Sequence, residues 1–114
     1  MAKKYTWHKL DEGYLPLADN AIRAQEVNGK MISVALHQGQ LYAFAHKCPH
    51  AGGIMSDGFI DAAGNVACPI HRYKFSMKNG HNCSGEGYFL KTYPIEQRED
   101  GPYVGMEKSG GWLW

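Results

Sequence analysis

The 114-residue sequence has no uninterrupted apolar stretch near the ~20 residues that a membrane-spanning helix needs. Nor does an apolar run near its start resemble a signal peptide. Net charge is small: twelve Lys and Arg against eleven Asp and Glu leave a formal +1. With no basic stripe or stacked-aromatic motif, nothing calls for nucleic acid. The expectation is a soluble, cytoplasmic protein that engages neither membrane nor nucleic acid. Convincing helical periodicity, internal repeats, low-complexity tracts and linkers are all absent, although one short helix around residues 14–18 stays open. Cysteine is scarce and odd in number: Cys48, Cys68 and Cys83. In a reducing compartment that count argues against a disulfide framework and for metal binding or catalysis.

What is present is a β pattern with abundant turn chemistry. The chain is 44% apolar and 20% charged, which excludes disorder, and it is long enough for one domain but too short for two good cores. Fourteen glycines and repeated turn signals favour many short connections. Residues 21–27 and 31–36 flank Asn28-Gly29, and Gln38-Gly39 then leads into the alternation of residues 41–45. These segments read as an antiparallel meander. Residues 89–95 and 103–106 flank a polar stretch at 96–102 and read as a final hairpin with a longer loop, with Pro94 marking an edge or a strand end. Between these halves, short strands are expected near residues 59–60, 65–67 and 73–77, with turns at Ala63-Gly64-Asn65 and Asn79-Gly80.

All three cysteines lie in that middle region, and two of them stand in matching contexts. Cys48-Pro49-His50 is followed after seventeen residues by Cys68-Pro69-Ile70-His71. Each segment supplies one thiolate and one imidazole. Four such ligands could hold one tetrahedral zinc, but structural zinc sites usually open with two cysteines two to four residues apart, and neither segment has that pair. In extended chain, residues i and i+2 sit about 6.5 Å apart on one side. That spacing suits two neighbouring irons better than one ion, with both cysteines on one iron and both histidines on the other.

This pattern resembles the Rieske [2Fe–2S] family, whose two loops pair a C-x-H with a C-x-x-H. The run from Cys48 to Gly58 is similar to the first cluster loop, the run from Cys68 to Phe75 to the second, and Leu90-Lys91-Thr92-Tyr93-Pro94-Ile95 to the strand that closes the domain. The likeness is weakest over the first twenty residues and the last ten. It implies an all-β fold: an antiparallel β-sandwich base with a smaller cluster-binding subdomain inserted across about residues 46–83 of a single domain spanning 1–114. It implies a [2Fe–2S] cluster held by Cys48, His50, Cys68 and His71, with the two imidazole edges at the surface as the exit for electrons. High-potential members carry an extra cysteine in each loop and a serine and a tyrosine beside the sulfurs. The corresponding positions here are Gly53 and Ile70, and Tyr73 and Phe75. Fewer hydrogen bonds to sulfur imply a potential near the low end of the range, about −150 mV.

The remaining residues have bland and functional readings side by side. Pro49 and Pro69 stiffen the loops or are ordinary turn prolines. Gly52, Gly53 and Gly58 let backbone approach the sulfides or are plain loop glycines. Lys47, Arg72 and Lys74 form an electropositive rim or a solvated face. Cys83 is expected to be a buried structural thiol, and His8, His37, His46 and His81 are expected at the surface or in packing. Trp112 and Trp114 are expected to pack back onto a sheet.

The function expected first is a soluble ferredoxin that carries single electrons from a flavin reductase to an oxygenase. The rival is a small subunit bound to the large subunit of a reductase, such as nitrite reductase. An oxygenase in its own right is excluded by size, since that chemistry needs a large additional domain, and a zinc-bound interaction module is the remaining alternative.

Overall fold

The computed structural model describes residues 4–49, 52–70, 72–85 and 87–107. Ten strands are present among them, all paired antiparallel, in three sheets. One sheet joins β1 (Tyr5–Lys9), β10 (Gly101–Glu107) and β9 (Ile95–Arg98). The second runs β2 (Ile22–Val27), β3 (Lys30–His37), β4 (Gln40–Ala45), β8 (Thr92–Tyr93). The third is small: β5 (Phe59–Ile60), β6 (Asn65–Ala67), β7 (Lys74–Ser76). No helix among the described residues is long and apolar enough to cross a membrane.

The meander follows from its turns. Asn28 and Gly29 have φ of 53° and 80°, and Gln38 and Gly39 have 52° and 80°. Two successive left-handed residues give the hairpin turn whose twist matches the flanking strands. The register then runs Val34↔Ala43 and Ala35↔Tyr42, so alternate residues face opposite sides of the sheet. Both sides are buried. Val34 and Ala43 join Val104 and Met106 of β10 in one core, while Ala35 and Phe44 join Val66 and Phe75 of the small sheet in the other. Two-sided burial explains why residues 32–35 are buried without interruption. The second core also contains Cys48 and Cys68, and it ties the small sheet to the base.

Two expectations need correction. The polar stretch 96–102 is not a loop: Gln97 pairs with Pro102 and Arg98 with Gly101, so β9 and β10 form a tight hairpin. Phe89 is outside the named strands and meets His81 through an isolated bridge, and β8 pairs with β4 instead of β10. Pro94 separates the two roles, and its carbonyl accepts from the Gly105 amide at 2.9 Å. The short helix near residues 14–18 is a single 3-10 turn at Glu12–Tyr14, capped by the Asp11 carboxylate accepting from the Gly13 amide at 2.9 Å.

Candidate metal centre

Each candidate cysteine stands at the end of a hairpin, and the two cysteines are held alike. In the first, the Cys48 amide donates to the Gly53 carbonyl at 2.8 Å, and Lys47 bridges to Ile54. In the second, the Cys68 amide donates to the Tyr73 carbonyl, also at 2.8 Å, between β6 and β7. Both bonds reach from a cysteine to the residue five positions on. This shared closure gives the two short motifs equivalent places in the fold.

Both cysteines are buried and neither is in a disulfide. Their side chains are close enough to act on each other. Burial pushes the Cys68 thiol above its usual range and the Cys48 sulfur adds to this, while the backbone amides of Ile70 and Gly53 oppose both effects. The Ile70 amide lies 3.4 Å from the Cys68 sulfur. Two adjacent thiols in an apolar pocket resist ionisation unless a cation takes their charge, so this donor pair fits a metal. Gly53 completes the fit: a Cβ there would stand 2.8 Å from the Cys68 sulfur and 3.1 Å from two carbons of Ile70. Positions 53 and 70 therefore face each other beside the sulfurs, and neither carries a thiol.

Of the four ligands expected from sequence, Cys48 and Cys68 are brought together, whereas His50 and His71 lie outside the described residues. Among the described residues no three His, Cys, Asp or Glu gather to hold a metal ion. Around the tips, Pro49, Pro69 and Ile70 are exposed, as are Lys47 and Arg72. Arg72 has a left-handed φ of 56°. Beneath the sulfurs, Met55 and Phe75 are fully buried in the same core.

Several secondary readings change. Cys83 is exposed, with its thiol donating to the Asn65 side-chain oxygen at 3.3 Å, because it lies in the turn-rich segment after β7 and not in a sheet interior. Lys74 does not belong to a rim at the tips, since its ammonium pairs with Asp61 at 3.4 Å. Gly58 serves packing: a Cβ there would fall 1.9 Å from the Ala67 carbonyl oxygen. His37 keeps its expected packing role: it is buried, its Nδ1 2.6 Å from the Asn20 side-chain oxygen. Trp112 and Trp114 lie outside the described residues. Sequence reading placed the turn at Ala63-Gly64-Asn65 but missed the Asp61 carboxylate that closes it, and it missed the burial of Met55. Spacing carried no sign of Met55, but Asp61-Ala-Ala-Gly-Asn65 has ordinary turn composition.

Comparison with known proteins agrees with this geometry. A family model described as Rieske [2Fe-2S] domain matches residues 9–94. The ferredoxin component of naphthalene 1,2-dioxygenase/salicylate 5-hydroxylase systems from Ralstonia sp. is 35% identical over 72 residues, covering 62% of this chain and 68% of the relative. The ferredoxin component of the naphthalene 1,2-dioxygenase system from Pseudomonas aeruginosa is 32% identical over 71 residues, covering 61% of this chain and 67% of that one. Among solved structures, a complex of reduced oxygenase and oxidized ferredoxin in carbazole 1,9a-dioxygenase matches with a TM-score of 0.69 at 26% identity, covering 77% of this chain and 91% of that one. A structure described as an NADH-dependent nitrite reductase small subunit from Mycobacterium tuberculosis shares the fold with a TM-score of 0.77 at 19% identity, covering 93% and 99%.

Proposed function

The chain belongs to the Rieske [2Fe–2S] domain family, and from that premise we propose that it is a ferredoxin, taking single electrons from a flavin reductase and passing them to an oxygenase. In this reading it carries no catalytic site of its own, acts in the cytoplasm, and forms one domain over residues 1–114 with the cluster-binding part across about 46–83. Cys48 and Cys68 hold one iron, and His50 and His71 hold the other. When bound, the cluster supplies a one-electron couple.

The observation that carries the reading is the buried, mutually interacting pair of cysteines, each held by the same backbone closure at the end of a hairpin. The chain's own groups do the rest. Burial beside Phe75 and Met55 keeps water from the sulfurs, and the Ile70 amide stabilises negative charge on Cys68. Exposed Pro49, Pro69 and Ile70 give an apolar tip suited to a small, transient interface, with Lys47 and Arg72 adding positive charge beside it.

A second reading, a small subunit bound to a larger reductase, is favoured by the near full-length likeness to the Mycobacterium tuberculosis structure. Reconstitution separates the two. The purified chain should accept electrons from an NADH-dependent flavin reductase and sustain turnover of a ring-hydroxylating oxygenase, while remaining unattached to either protein during gel filtration. Stoichiometric co-purification with a large reductase, without transfer to an oxygenase, would overturn the ferredoxin reading.

A further inference from the structure

The hairpin ends carry positive charge that no neighbour takes up. Among the described residues, Lys9, Lys74, Lys91 and Arg98 pair with carboxylates, and Arg23 and Lys30 lie over tyrosine rings. Lys4, Lys47, Arg72 and Lys78 have no such partner among them. Two of these four belong to the metal centre's hairpins: Lys47 immediately precedes Cys48, and Arg72 lies inside the closure from Cys68 to Tyr73. Both are exposed. Within residues 47–76 the acids are Asp57, in the 3-10 turn Met55–Asp57, and Asp61, which Lys74 already occupies.

Arg72 is set apart by its backbone as well. Four non-glycine residues among those described have left-handed φ: Asn20, Asn28, Gln38 and Arg72. Asn28 and Gln38 open two-residue hairpin turns, and Asn20 is held through its side chain by His37. Arg72, at φ 56°, has no side-chain contact among the described residues that would hold it there. A Cβ makes this region costly, whereas glycine enters it without a clash. A long cation kept where glycine would sit more easily points to use of the side chain itself. We propose that Arg72 sets the charge preference of the hairpin ends, its unpartnered guanidinium selecting a redox partner whose docking face carries carboxylates. A guanidinium meets a carboxylate through two parallel hydrogen bonds. Ile70, 41% exposed, supplies apolar contact in the same loop, and Lys47 adds to the field from the first hairpin. This inference rests on the reading of these ends as the port for electrons, and it names the kind of partner that port admits.

Stopped-flow oxidation of the reduced, cluster-loaded protein tests this with two small oxidants of opposite charge. Ferricyanide, an anion, and hexaamminecobalt(III), a cation, each take one electron from the protein. At low ionic strength, Arg72→Gly should lower the ferricyanide rate by at least about threefold and raise the hexaamminecobalt rate. Both changes should fade at high salt. Arg72→Lys should keep the wild-type preference. Lys78→Ser removes the same charge at the turn beyond β7 and should leave both rates in place. Arg72→Gly should keep its full iron content, with a urea midpoint equal to or above that of the wild type. Rates unchanged in Arg72→Gly would overturn the proposal, as would an equal change in Lys78→Ser. Iron loss with a lowered urea midpoint in Arg72→Gly would also overturn it, because the arginine would then be held for the fold. A charge preference that holds while transfer to an oxygenase fails would sink the ferredoxin reading and leave this inference standing.

Discussion

At the scale of single residues, Gly53, Cys48 and Cys68 carry the site, and Cys83 stands outside it. A Cβ at position 53 would press on the Cys68 sulfur at 2.8 Å and on Ile70 at 3.1 Å. Gly53→Ala should cost about 1–3 kcal/mol at the tip, where overpacking acts directly on a ligand. The expected outcome is a folded chain that has lost a large part of its iron, read as iron per chain with circular dichroism as the check on folding. Full iron content in that variant would mean that the two hairpins separate more easily than their packing implies. The cysteines should split by exposure. In the cluster-loaded protein a thiol-alkylating reagent should label Cys83 alone, since Cys48 and Cys68 are buried. Cys83→Ser should keep its iron, whereas Cys48→Ser and Cys68→Ser should not. Mass spectrometry of the labelled chains, paired with iron analysis, checks each outcome.

At the scale of elements, the Asp61 turn joins β5 to β6 and braces the second hairpin from below. Its carboxylate accepts from the amides of Ala63 at 2.9 Å and Asn65 at 3.0 Å and pairs with Lys74 on β7. Burial pushes the Asp61 carboxyl up, but the Asn65 amide and side chain, Lys74 and the Ala63 amide outweigh it and hold the group below its usual value of 3.8. A carboxyl depressed in the folded state stabilises the fold fully above its unfolded pKa and loses that contribution as pH falls through the folded value. Asp61→Ala should therefore cost about 1 kcal/mol at neutral pH. The gap from wild type should hold down to ordinary carboxyl pH and narrow only beneath 3.8, as urea midpoints measured across that range would show. A gap unchanged at the acid end would remove the charge from the explanation and leave only turn shape.

The same scale shows what the sequence made legible. The β2–β4 meander could be read because Asn28-Gly29 and Gln38-Gly39 announce their turns locally. β9 could not, because it is an edge strand exposed at Glu96, Gln97 and Arg98, with no buried face to impose alternation. The cysteine pair was legible from ligand spacing, since two like motifs fold into two like hairpins. The exposure of Cys83 was not, because burial there depends on how the segment after β7 turns back beside that strand, which no local pattern encodes.

At the scale of the whole molecule, one core serves both stability and redox tuning. Phe44, Val66, Phe75 and Leu90 weld the small sheet to the base, and the two cysteines belong to that same core. Phe75 offers the sulfurs no hydrogen-bond donor, and Gly53 facing Ile70 offers no disulfide. Less stabilisation of the charge added on reduction lowers the potential. The measurement that tests the central claim most directly is an anaerobic redox titration of the purified protein followed by electron paramagnetic resonance. The account predicts the reduced-state signal of a cluster with two cysteine and two histidine ligands, appearing with a midpoint of about −150 mV. A midpoint of about −400 mV would indicate ligation by cysteine alone, and a colourless protein carrying zinc and giving no signal would contradict the cluster itself.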